Sequence, residues 1–188
     1  ASRFSLHIFT HTALKSNGLL PNNLILTGEL GECLNDIYTK NEVGDNLILQ
    51  ICLPGLIDPT LRIDGGDFLS IHAWMPNLSA QIRWNTAASA LRSAILNWLE
   101  DRLLPGLRAN IKKEFLITPE VLAEGINRPL GSAYDPKCSL SHLAGIPPAN
   151  IRSPFPNLFL IGEGAHYLPG LSGALTSADL AARSITQS

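Results

Sequence analysis

The residues best placed to do chemistry lie near the end of the chain: Gly162-Glu163-Gly164-Ala165-His166-Tyr167-Leu168-Pro169-Gly170-Leu171-Ser172-Gly173-Ala174. Residues 157–161 before them are an apolar run (Asn-Leu-Phe-Leu-Ile), and Leu171, Ala174, Leu175, Ala178, Ala182 and Ile185 follow at helical spacing. Strand, glycine-rich loop and helix are therefore expected in that order. Glycines at such a junction let the backbone take positive φ and let a ligand come close. The helix start adds N–H groups and a partial positive charge. Together they suit an anion or an electron-rich carbonyl. Gly170, Ser172, Gly173 and Ala174 leave room for a flat ring, and Glu163 can accept hydrogen bonds from sugar-like hydroxyls. The same glycines could serve only a tight turn and close helix packing. The dinucleotide fingerprint is not met, because Tyr167 stands three residues after Gly164.

Other constellations offer less. Gly170-Leu-Ser172-Gly-Ala174 has the look of a nucleophile elbow, the mark of a serine hydrolase, but only Asp179 and no histidine follows Ser172. His7 and His11 are spaced to share a face, yet no cysteine or carboxylate pair joins them at metal-site spacing, so no metal is expected. His72 lies in an apolar run and reads as a satisfied core histidine, His142 lies in a loop, and His166 stands within the glycine loop. Trp74, Trp84 and Trp98 read as core or interface residues, since no basic neighbours suggest base stacking. Arg102 is expected to snorkel or pair. No residue presents itself as a catalytic acid or base.

Around these residues the elements are legible. Residues 4–10, 23–27, 46–53, 68–74 and 111–117 read as strands, with the Asp64-Gly65-Gly66-Asp67 turn before the fourth. Residues 29–41 and 86–104 read as helices, the second ended by Pro105-Gly106. Thr118 caps a short helix with Pro119 at its first position. Six prolines break up residues 127–156, as in a functional loop or a crossing between domains. The leucines and isoleucines at 47, 48, 49, 51, 69 and 71 could line an apolar channel or simply form core.

Composition sets the bounds. The 188 residues are 45% hydrophobic and 16% charged, with a net charge of -2. That is core-forming and gives no basic surplus for nucleic acid. Cys33, Cys52 and Cys138 form no CxxC pair, which fits a reduced, cytosol-like compartment. No run approaches the ~18 uninterrupted apolar residues of a spanning helix. The first residue is Ala1 rather than Met, which points to a longer parent chain.

The segment from residue 157 to Ala174 resembles the C-terminal flavin motif of the phytoene-desaturase and carotenoid-isomerase family, within the amine-oxidase-like flavoproteins. The likeness is close over the last hundred or so residues and looser over the first eighty. It implies FAD as cofactor. Gly162 and Gly164 would let the backbone pass the pyrophosphate and ribityl chain, with Glu163 beside it and Ala165 and His166 in the same loop. Gly170, Leu171, Ser172, Gly173 and Ala174 would set a helix N-terminus at the flavin N1–C2=O edge. Tyr167 and Leu168 would lie near the isoalloxazine or the substrate channel. The implied fold is α+β: residues 1–118 a mixed substrate-domain sheet with helices, 119–156 a connector, and 157–188 the last strand, loop and helix of a Rossmann-like FAD domain. The Gly-x-Gly-x-x-Gly turn that opens such proteins is absent from this sequence, so an N-terminal half or a separate FAD-binding subunit is the expected partner. The implied substrate is long and apolar, such as a polyene for desaturation or isomerisation, in a cytoplasmic protein. Such a substrate brings peripheral membrane contact into question, although no basic amphipathic helix is present as an anchor. A non-catalytic escort module is the alternative, since Rab-escort and GDP-dissociation-inhibitor proteins resemble the same broad family.

Overall fold

In a computed structural model of the chain, residues 1–15, 18–133, 155, 157–162, 165 and 170–186 are described. Two compact units divide the molecule, Ala1–Ala133 and Tyr134–Ser188.

The first unit is built on five strands: β1 (Ser2–Thr10), β2 (Asn22–Leu26), β3 (Ile48–Cys52), β4 (Phe68–Met75) and β5 (Ile111–Ile117). They pair in the order β2-β3-β4-β1-β5, and every pairing is antiparallel. The mixed sheet expected from sequence is therefore not what the described strands form. Of the consecutive strands, β2, β3 and β4 lie side by side and pair antiparallel, without the long crossover that a parallel pair needs.

Period-2 alternation sorts the sheet into two faces. On β1, Phe4, Leu6 and Ile8 are fully buried on one face. Against that face lies α2 (Trp84–Arg102), through Leu91, Ile95, Leu96 and Leu99. Trp84 stacks on Phe4 with centroids 6.4 Å apart and planes at 14°. Leu49, Ile51, Leu69 and Ile71 are also 0% exposed in this core. Of the two readings open for them, channel or core, they form core, because α2 occupies that face. Leu47 joins the same cluster, while Ile48 packs with Cys33 and Ile37 in a smaller one on the other face.

Helix α2 is tied to β5 by a two-pronged Arg92–Glu114 pair, at 2.5 and 2.8 Å. It ends one turn before Pro105, where the Leu103 and Leu104 amides both donate to the Leu99 carbonyl. Arg102 sits over the Trp98 ring at 5.5 Å, as its amphipathic stem allows. The expected helix over 29–41 is α1 (Leu30–Asn35), which widens into a π-helical turn over Asp36–Lys40 and closes at left-handed Asn41. Helix α3 (Pro119–Ile126) begins as expected, with Thr118 Oγ1 accepting from Val121 N at 3.4 Å. Most of the proline-rich stretch and Cys138 lie outside the described residues; Cys33 and Cys52 are free thiols.

In the second unit the described element is α4 (Gly170–Thr186). The buried strand expected over residues 157–161 is not formed. Those residues pair with no described strand, and Leu158, Leu160 and Ile161 are 47%, 45% and 57% exposed. Apolar β-formers become a strand only when a neighbour takes their N–H and C=O groups, and no described segment does so.

Candidate functional site

Among the described residues, Gly162 of the glycine loop meets α4 through Ser177. Ser177 is fully buried, together with Ala181 one turn on and Gly173 one turn before. Its hydroxyl accepts from the Gly162 N–H at 2.9 Å. Its one proton is shared between the Ala174 carbonyl at 2.8 Å and the Gly162 carbonyl at 3.1 Å. The Gly162 carbonyl also accepts from the Ala165 N–H at 3.1 Å, and Ala165 is buried. Gly162 is thus pinned to the second turn of the helix. Sequence reasoning passed over Ser177. The signal that could have found it is the run of small residues Gly173, Ser177 and Ala181 at four-residue spacing, which lets a backbone lie close against that stripe.

Two glycines here have backbone conformations that L-residues avoid: Gly162 at φ 133° and Gly170 at φ 73°. A Cβ built on either would meet no heavy atom within 4 Å. The space above both is open, so φ rather than crowding calls for glycine. Leu171 and Ser172 are exposed in the first turn of α4, Leu171 by 74%, and Ala174 is half-buried. Ser172 lies within α4, two residues past its first residue, rather than at the strand-to-helix corner of a nucleophile elbow. Glu163, Gly164, His166, Tyr167 and Leu168 lie outside the described residues.

A flavin suits what is described. The backbone at Gly162 and Gly170 can be approached closely, and the first turn carries small side chains. A 17-residue helix begins at Gly170, and its positive end would favour an electron-rich carbonyl placed there. No group of three or more His, Cys, Asp or Glu side chains among the described residues could hold a metal ion.

In the first unit a second group of polar side chains gathers on the sheet face away from α2. His72 on β4 is bonded at both ring nitrogens, Nδ1 to Ser5 Oγ at 2.8 Å and Nε2 to Ser70 Oγ at 3.1 Å. Ser70 Oγ also lies 3.0 Å from His7 Nδ1. Burial, then the Arg3 charge, then His7 pull the His72 pKa down to about 4. Burial and Arg3 lower that of His7 as well. Both shifts favour the neutral ring. His72 is satisfied, as its sequence setting suggested, but it is not a core histidine: it is half-buried on the face away from α2. His11 sits beyond the end of β1 and is exposed, so it does not share a site with His7.

No family model matches the chain. It is 31% identical to phytoene desaturase (lycopene-forming) of Pseudescherichia vulneris over 148 residues, 78% of this chain and 30% of that protein. Against phytoene desaturase (neurosporene-forming) of Rhodobacter capsulatus the identity is 29% over 156 residues, 82% of this chain and 30% of the relative. All-trans-zeta-carotene desaturase of Myxococcus xanthus is 28% identical over 173 residues, 89% of this chain and 32% of that protein. The chain thus spans about a third of the length of the relatives it matches. Over about four fifths of its residues, the chain is similar to phytoene desaturases.

Proposed function

We propose that this chain is part of an FAD-dependent oxidoreductase that desaturates or isomerises a long apolar substrate such as a carotenoid polyene. The observation that carries this is the likeness, over most of the chain, to several proteins all named for carotenoid desaturation. The glycine loop and the start of α4 are the part assigned to the cofactor. Gly162 keeps the backbone bare where the pyrophosphate and ribityl chain would pass. Ser177 fixes that turn against the helix. Gly170 to Ala174 set the positive helix end at the flavin N1–C2=O edge, where it favours negative charge. The flavin, when bound, accepts the hydride or electrons. The chain's own residues orient it. The ADP-binding turn, missing from these 188 residues, comes from a longer parent or another subunit. No described helix is long and apolar enough to cross a membrane. We further propose peripheral membrane contact as the route by which an apolar substrate is taken up.

The test is a longer protein carrying a Gly-x-Gly-x-x-Gly region, purified with and without Gly162→Val. The parent should retain a flavin absorbance band. Valine would be strained at φ 133° and would occupy the open side of the turn. Flavin affinity is expected to fall about tenfold or more, one to two kcal/mol. A colourless parent, or undiminished flavin in the variant, would count against the assignment.

A further inference from the structure

The hydrogen-bonded chain Ser5–His72–Ser70–His7 has a direction, and the direction leaves one donor facing outward. Each serine hydroxyl has a single proton, and each neutral imidazole has one N–H and one lone pair. Ser70 Oγ touches His72 Nε2 and His7 Nδ1, so it donates to one ring and accepts from the other. The four groups therefore run all one way or all the other. Arg3, half-buried and felt by both rings, decides between them over Lys113, a second cation that stands at the other end of this face but is exposed. Arg3 lies two residues before Ser5 on the same face of β1, about 7 Å along the strand, and it forms no ion pair among the described residues. A cation at that end favours dipoles with their protons turned away. Ser5 then donates to His72 Nδ1, His72 Nε2–H to Ser70, and Ser70 to His7 Nδ1. Each bond polarises the next. The chain finishes on His7 Nε2–H, which finds no partner among the described residues.

The surroundings of that N–H are aromatic. His7 stands between Phe68, at 5.8 Å with planes at 5°, and Phe115, at 5.0 Å with planes at 30°. Phe115 is 43% exposed. On the strands, this face carries Arg3 and Lys113 but no carboxylate. The acids of the helix packed at its Trp74 end are engaged elsewhere, Asp36 with Lys40 and Glu32 with Asn46. Cationic side chains without acids complement an electron-rich atom.

We propose that this face is a binding site for an uncharged, conjugated carbonyl compound, its oxygen accepting from His7 Nε2–H and its flat body lying over Phe68 and Phe115. The site stands on the first unit alone and does not depend on the flavin assignment. It can be tested on the 188-residue chain by imidazole nitrogen NMR, with benzylideneacetone as probe and trans-β-methylstyrene as the same skeleton without the carbonyl. Expected are the Nε2–H tautomer of His7, a shift of its ring on adding the ketone, and about fivefold tighter binding of the ketone than of the hydrocarbon. His7→Phe, which keeps an aromatic ring between its neighbours, should erase that preference. Ser70→Ala, which cuts the chain and leaves His7 in place, should reduce it. An Nδ1–H tautomer at His7, equal affinity for the two probes, or a preference unmoved by Ser70→Ala would overturn the proposal.

Discussion

His72 is the group through which pH acts on the sheet. In the folded chain its pKa is about 4, against 6.5 for a free histidine. Between those values the unfolded chain binds the proton and the folded chain does not. Stability is therefore unaffected by this group above pH 6.5 and declines as pH falls toward 4. Allowing for solvent screening at a partly exposed ring, the loss is of order 2 kcal/mol. His72→Gln keeps an amide to bond Ser5 and Ser70 but cannot titrate. Its urea midpoint should drop less than the parent's between pH 7 and pH 4.5. Equal drops in the two proteins would assign the acid sensitivity to other groups. That His72 would be satisfied was legible, because an imidazole in an apolar strand must find partners. That His7 would end a chain of donors was not, because its partners lie 63 and more residues away on another strand.

Elements whose signals are local came through from sequence. Thr118 before Pro119 marks a helix start whatever the rest of the chain does, and α3 begins there. The apolar stripe of α2 needed only one sheet face to meet. Residues 157–161 were misread for the converse reason: strand formation depends on a neighbour that the pattern cannot supply. The π-helical widening over Asp36–Lys40 left no mark in the spacing. Ser177 shows how an element can be held by one group that patterning hides. Removing its hydroxyl leaves the Gly162 N–H without its partner and two carbonyls with one donor fewer. For Ser177→Ala a local cost of about 1–3 kcal/mol is expected. It should appear as faster hydrogen exchange at Gly162 and Ala165, with the first unit unchanged. Unaltered protection at Gly162 would mean that the turn is held by something other than Ser177.

On the proposed assignment, the molecule as a whole presents one end of a cofactor site without the other. Submicromolar binding requires more than about 8 kcal/mol. A helix N-terminus facing a partial negative charge supplies roughly 0.3 to 2 kcal/mol. The open turn at Gly162 adds close approach rather than charge. The strong donors for a dinucleotide pyrophosphate come from a Gly-x-Gly-x-x-Gly turn at another helix start, and these 188 residues contain none. The chain by itself should therefore bind FAD weaker than micromolar, by fluorescence quenching or calorimetry, while a longer protein that adds such a turn binds it tightly. The two units are expected to differ in this experiment. The sheet of the first carries its own core under α2, and adding FAD should leave its exchange pattern alone. The second exposes Leu158, Leu160, Ile161 and Leu171, and only there should a tightly binding longer protein show new protection. Submicromolar FAD binding by the 188-residue chain would mean that the loop and α4 hold the cofactor without the pyrophosphate turn, and the division of labour between the two halves would have to be redrawn.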